Sequence, residues 1–265
     1  MRHMSYLNAL AQEIAAERPV AVAKVVEGPW AGCAVVAGPG GIHYVDPRLQ
    51  AAPEGLAEGM AELAAGLLVR GESGCHRLRL PAGSVRVYVE SHLPPPVLLV
   101  VGAGHVGREV ARAGALAGFQ VWVVDDRREY AHPAHFPTAY RVICVPLPEE
   151  LAALAPGERH HVVLVTRGHA QDAACLAALA GAPVPYVGMI GSRKRVGAVF
   201  DALRAGGVDE EWLGRVRAPI GLDIGARTPG EIAIAVVAEV IATRRGGTGK
   251  PLSALDRPLI HLSRR

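Results

Sequence analysis

The chain has 265 residues, 50% of them hydrophobic, enough for one large core or two modest ones. A formal net charge of +3 is too weak to mark a nucleic-acid binder by itself, and no apolar run approaches the length of a membrane span. No charged segment followed by an apolar one opens the chain, so the expected location is the cytoplasm.

The first ninety residues read as a small α/β or α+β domain, assigned to residues 1–93. Ser5 can cap a helix running to about Glu17, and an apolar strand follows from Pro19 to Val26. Cys33 to Ala37 and Ile42 to Val45 flank the turn Gly38-Pro39-Gly40-Gly41, which predicts a hairpin. A helix is expected from about Pro53 to Val69. A second hairpin follows, with Leu78/Leu80 and Val85/Val87/Val89 alternating with polar residues around Pro81-Ala82-Gly83-Ser84. The triple proline Pro94-Pro95-Pro96 can continue neither a helix nor a central strand, so it marks a domain boundary.

From Val97 onwards strands and helices alternate, the pattern of a Rossmann-like parallel sheet covered on both faces, assigned to residues 97–246. Strands are expected at Val97–Val101, Gln120–Val124, Arg141–Val145, His161–Thr166 and Tyr186–Ile190. Helices are expected near Gly104–Ala117, Glu149–Leu154, Ala170–Ala180 and Ser192–Ala205. A last helix opens on the capping box Thr228-Pro229-Gly230-Glu231 and stops at Gly246-Gly247. Residues 247–265 read as a C-terminal extension.

The four cysteines, Cys33, Cys75, Cys144 and Cys175, form no CxxC pair and no disulfide or zinc spacing. Cys144 and Cys175 lie in apolar stretches and are expected to be buried.

The chemistry concentrates where strands end. Gly102-Ala103-Gly104-His105-Val106-Gly107 leaves a strand and enters a helix, the arrangement of a phosphate-binding turn. Its first glycine serves the tight turn, its second the approach of a pyrophosphate, and its third the packing of helix on strand. Asp125, 23 residues past Gly102, stands where a ribose-binding carboxylate is expected. Ligands of open parallel sheets sit outside the carboxyl ends of the strands. Those ends carry His105 after the first strand and Asp125, Asp126, Arg127 and Arg128 after the second. They carry Thr166, Arg167, His169 and Asp172 after the fourth, and Gly191, Ser192, Arg193, Lys194 and Arg195 after the fifth. So many arginines around a glycine loop imply a polyanionic ligand. The acid–base inventory is thin. His169 and Asp172 lie three apart at a helix start, so one could orient the other, but no GxSxG or HExxH motif is present.

These stretches, with Tyr186-Val-Gly-Met-Ile-Gly-Ser-Arg-Lys194 and Ala218-Pro-Ile-Gly-Leu-Asp-Ile-Gly-Ala-Arg-Thr-Pro-Gly-Glu-Ile-Ala233, resemble the xanthine dehydrogenase accessory (XdhC/CoxI) family. The resemblance covers about Val97 to Ala242. It implies a protein that binds the molybdenum cofactor, molybdopterin, protects it during sulfuration, and hands it to an apo molybdenum hydroxylase. A cysteine desulfurase would be a further partner, and a homodimer the expected assembly. Such a protein is a cofactor chaperone rather than a turnover enzyme, with no nucleic-acid or membrane partner. The cofactor's phosphate suits the glycine loop and its arginines.

Two departures stand out. The family's N-terminal Gly-Gly-Cys-Val-Glu type motif is missing, which leaves Cys33 as the one thiol near that region. It reads as a soft metal ligand or as a small buried hydrophobe. Arg167 stands where the family more often has histidine, which favours anion binding over acid–base work at the Thr166–Asp172 loop. The alternative to the chaperone is an NAD(P)-dependent oxidoreductase or a nucleotide-responsive regulator. In that case Asp125 favours NAD, or Arg127 and Arg128 favour NADP.

Overall fold

The computed structural model describes residues 5–81 and 83–254. The turn residue Ala82 and residues 255–265 of the expected extension lie outside the described residues. The chain divides into two compact units, Met1–Pro94 and Pro95–Arg265.

The first unit begins with helix α1 (Tyr6–Ala15), entered through Ser5, whose hydroxyl accepts from the Asn8 N–H at 3.4 Å. Strands β1 (Val20–Val25), β2 (Ala34–Gly38) and β3 (Gly41–Val45) follow, then helix α2 (Leu56–Arg70) and strands β4 (Gly74–Leu80) and β5 (Gly83–His92). The sheet runs β3-β2-β1-β5-β4 and every pairing is antiparallel. That settles the choice left open by the sequence in favour of an α+β unit. The two-residue period of the strands sends Ala21, Ala23, Val35 and Val87 into a core with Leu56, Met60 and Leu67 of α2. Val20, Val22, Ala34 and Val36 face the other way and pack with Ala9 of α1.

The second unit is built on a parallel sheet. Its elements in order are β6 (Val97–Val101), α3 (His105–Leu116), β7 (Gln120–Asp125), β8 (Arg141–Cys144), α4 (Glu149–Ala153), β9 (His160–Leu164), α5 (His169–Ala178) and β10 (Tyr186–Met189). Then come α6 (Arg193–Ala205), α7 (Glu210–Arg215), β11 (Val216–Arg217) and α8 (Pro229–Arg245). The strand order is β11-β10-β9-β6-β7-β8, all neighbours parallel. This is the doubly wound Rossmann arrangement, two three-strand halves meeting at β6 and β9.

Strands β6 and β9 are buried along their whole length because helices cover both faces. One layer gathers Leu99, Val101, Leu164 and Met189 with Leu176 of α5, Val199 of α6 and Trp212 of α7. The opposite layer gathers Leu98, Val100 and Val163 with Val110 of α3 and Val236 of α8. Cys175 lies within the first layer, as expected, and burial pushes its thiol up to about 12. Cys144 differs from expectation. It ends the edge strand β8 and is exposed, because a strand at the sheet edge has no neighbour to cover it.

Candidate functional site

Register brings the candidate loops together. Val101 pairs with Val124 on one side and Leu164 on the other, and Leu164 pairs with Met189. The segments that begin at Gly102, Asp125, Val165 and Ile190 therefore leave the sheet side by side. They do so where the chain, having run from β6 out to β8, returns past β6 to start β9.

The glycine loop has the geometry its spacing predicts. Gly102 has φ +117°, and a Cβ there would lie 2.6 Å from the Val165 carbonyl oxygen. A Cβ on Gly107 would collide with the Gly102 carbonyl oxygen, so α3 packs closer to the turn than any side chain permits. Gly104 is different: a Cβ there meets nothing within 4 Å. As the N-cap of α3 it provides no side chain to accept from the first helical N–H groups. His105, at the first helical position, is exposed.

Asp125 ends β7 with a side chain 4% exposed. Its Oδ1 accepts from the Arg127 amide and Nε, both at 2.9 Å, and its Oδ2 from the Ala103 amide at 2.7 Å and Arg127 Nη2 at 2.9 Å. A carboxylate offers about four acceptor positions, and all are taken. Burial alone would raise its pKa; the Arg127 guanidinium and the two amides outweigh it and hold the carboxyl below the usual range. Arg127 in turn lies 3.6 Å over the Tyr130 ring. The pair braces the glycine loop and presents no free carboxylate to a ribose.

Asp172, on α5, is fully buried and anchors the loops after β9 and β10 together. It accepts from the Thr166 hydroxyl and from Arg195, whose Nε lies 2.8 Å away and whose Nη2 also reaches it. Arg195 Nη2 further donates to the Thr166 carbonyl at 3.3 Å. The expected pairing of His169 with Asp172 is therefore replaced: the carboxylate serves Thr166 and Arg195, and His169 is exposed on the first turn of α5. Arg167 reaches Asp126 at 3.4 Å, and Gln171 bonds the same carboxylate at 3.1 Å. That bridge spans the carboxyl end of β6.

Of the three successive cations at the start of α6, Arg195 is turned inward, whereas Arg193 and Lys194 are exposed. Ser192 caps α6 by accepting from the Arg195 amide at 3.2 Å, and a Cβ added at Gly191 would lie 3.3 Å from Arg195 Cδ. Cys33 sits in the core of the first unit, 1% exposed, and burial raises its thiol pKa, the state of a packing residue. Among the described residues, no group of three or more His, Cys, Asp or Glu is placed to hold a metal ion.

One feature was not among the sequence-derived site residues. The segment 218–227 loops back over the carboxyl end of β10 and, with α8, lines a half-open groove of about 270 Å³. Ile190 and Gly191 border it, so it adjoins the loops already described. The signal was present in Pro219-Ile-Gly-Leu-Asp-Ile-Gly225, whose paired glycines have φ of +104° at Gly221 and +72° at Gly225.

Residues 98–240, over half of the chain, match the family model of the XdhC Rossmann domain. The chain belongs to the XdhC family. This XdhC-family chain is 34% identical over 180 residues to the uncharacterized protein YqeB of Escherichia coli K12, an alignment covering 68% of the chain and 33% of YqeB. It is 30% identical over 163 residues to a probable subunit of xanthine dehydrogenase from Bacillus subtilis 168, covering 61% of the chain and 47% of that protein. The chain thus spans between a third and a half of the curated relatives it matches. A solved structure of a xanthine dehydrogenase from Bacillus halodurans aligns with a TM-score of 0.55 over 96% of this chain and 98% of that one. At 17% identity that likeness is one of fold. Among the described residues of this XdhC-family chain, no helix is long and apolar enough to cross a membrane.

Proposed function

We propose that this XdhC-family chain is an accessory factor that binds the molybdenum cofactor, holds it while its terminal sulfido ligand is installed, and delivers it to an apo molybdenum hydroxylase. A cysteine desulfurase is the proposed sulfur source, a homodimer the proposed assembly, and the cytoplasm the proposed location. The observation that carries the reading is the open backbone at Gly104, free to meet a ligand's phosphate, on the same carboxyl edge of the sheet as the exposed Arg193 and Lys194. The proposed site comprises Gly102, Gly104, His105 and Gly107 around the phosphate, with Arg167 and His169 after the neighbouring strand β9 and Gly191, Ser192, Arg193 and Lys194 after β10 beyond it. Asp125, Arg127, Thr166 and Asp172 hold these loops in place from beneath.

These residues fit a phosphate-ended cofactor. Bound in the acceptor enzyme, that cofactor supplies redox and oxygen-transfer chemistry. The chain's own part is to fix the phosphate by backbone N–H groups and cations and to release it to a partner. An NAD(P)-dependent oxidoreductase would use the same glycine loop, and its ribose would need a carboxylate at Asp125 that already has four donors.

The test is capture and transfer. Cofactor released from a denatured molybdoenzyme is mixed with the chain, passed through gel filtration, and added to apo hydroxylase. Co-elution with the chain and restored hydroxylase activity are expected, and Gly104→Val is expected to lose both by filling the space at Gly104. Arg193→Ala with Lys194→Ala is expected to weaken capture about tenfold while leaving Tm unchanged, since both side chains are exposed. A chain that captures no cofactor, or a Gly104→Val variant that captures it fully, contradicts the reading.

A further inference from the structure

The first unit has an incompletely covered sheet. Its five strands, spaced at about 4.8 Å, span roughly twice the width that one helix of about 10 Å covers. Helix α2 sits on β1, β2 and β5. It also closes on the edge strand β4, where Leu78 approaches so closely that a Cβ added at Gly59 would lie 3.1 Å from its methyl carbons. The opposite edge strand, β3, is left outside this cover.

Register shows which β3 side chains face the helix layer. Ile42 pairs with Ala37 and Val45 with Val35, and both partners belong to the core under α2. Ile42 and Val45 therefore lie on the apolar side of the sheet, yet they are 51% and 37% exposed. With Leu49, Ala52, Pro53 and Ala57 they line a half-open groove of about 470 Å³. An exposed apolar strip with a polar rim is the mark of an interaction surface.

The rim gives the sign of the partner. Among the described residues that line the groove, only Glu54 and Glu58 are charged, and both are exposed. Glu62 stands one turn further along the same side of α2. None of the three forms an ion pair among the described residues. The helix dipole favours Glu58 in the first turn but does not reach Glu62.

A gap beside one helix and above an apolar strand has the shape of a second helix lying next to the first. Its covering face must be apolar to fill the space over Ile42 and Val45. Its flank must be cationic, since carboxylates four residues apart on α2 meet lysines or arginines at the same spacing. A second copy of this chain fits poorly, because an isologous contact brings the same acidic rim to both sides.

We propose that this groove seats an amphipathic helix of a partner protein, apolar on one face and bearing lysines or arginines four residues apart along its flank. This surface belongs to the first unit and is independent of the phosphate reading of the glycine loop. The probe is a fluorescein-labelled helical peptide of about 18 residues, or five turns, with leucines on one face and lysines at four-residue spacing. It is titrated with the full chain and read by fluorescence anisotropy. Saturable binding is expected, and the same peptide with glutamate for lysine is expected not to bind. Ile42→Thr with Val45→Thr keeps β-branched side chains on the strand and is expected to weaken binding about tenfold. Glu54→Lys with Glu58→Lys is expected to weaken it by about tenfold as well. Absence of binding, or binding that either pair of substitutions leaves intact, overturns the proposal. A dimer of the chain that Ile42→Thr with Val45→Thr dissociates also overturns it, by giving the groove to a second copy.

Discussion

Two arginine–aspartate pairs sit beneath the proposed ligand site, and each does something an exposed pair cannot. Asp125 ties Arg127 to the amide of Ala103, so the conformation of the glycine loop is held from the end of the neighbouring strand. Asp172 ties α5 to the start of α6 through Arg195 and Thr166. Because Asp172 is fully buried, removing its partner leaves an uncompensated charge out of water. Arg195→Ala is therefore expected to destabilise the protein by about 3–5 kcal/mol in urea unfolding. Arg193→Ala, two residues away but exposed, is expected to stay within about 0.5 kcal/mol. Equal effects of the two substitutions would contradict the inward placement of Arg195. The sequence marked three adjacent cations without saying which one turns in. That depends on where Asp172 lies across the sheet, a tertiary fact that spacing along the chain does not carry.

Among the elements, β9 combines two roles at its two ends. Its carboxyl end leads to Thr166. Its first residues are His160 and His161, both buried, with rings edge-on to Trp122 at 5.3 Å and Phe119 at 5.5 Å. Burial lowers both pKa values below the usual 6.5, so both rings are neutral in the fold. As pH falls below 6.5 the unfolded chain takes up protons that the folded one resists, and stability declines. Buried carboxylates such as Asp125 are held below the ordinary 3.8, so their stabilisation is lost only in more acidic solution. His161→Leu removes the group whose protonation burial opposes, together with the ring's hydrogen bonds to the backbone at Val97 and Arg159. The variant is expected to lose about 2–4 °C less in Tm than the wild type between pH 7.5 and 5.5, the shift that about 1 kcal/mol makes in a protein of this size. An unchanged pH profile would contradict the buried neutral state.

The same element shows what was legible in the sequence. The apolar runs and the alternation of strand with helix placed five parallel strands within two residues of their ends, most surely the fully buried β6 and β9, which must be apolar throughout. The capping box at Thr228 fixed the start of α8. The short pair α7 and β11 was not foreseen: Val216–Arg217 is a two-residue strand, and nothing so brief has a period. The 218–227 loop had a signal in its paired glycines, but the groove it lines did not, since the walls come from β10, the loop and α8 together.

At the scale of the whole molecule, the chain joins an antiparallel α+β unit to a doubly wound one, with the change at Pro94–Pro95. The proposed chemistry is confined to the second unit, at the one edge where the direction of winding reverses. A glycine loop, held arginines and a groove lie together there, and the proposed function reads them as a holder for an anionic cofactor. Native mass spectrometry of the chain purified from a host that makes molybdenum cofactor tests this most directly. The account predicts a bound mass equal to molybdopterin, with or without its metal, that Gly104→Val abolishes. A bound mass of NAD or NADP in its place would contradict it.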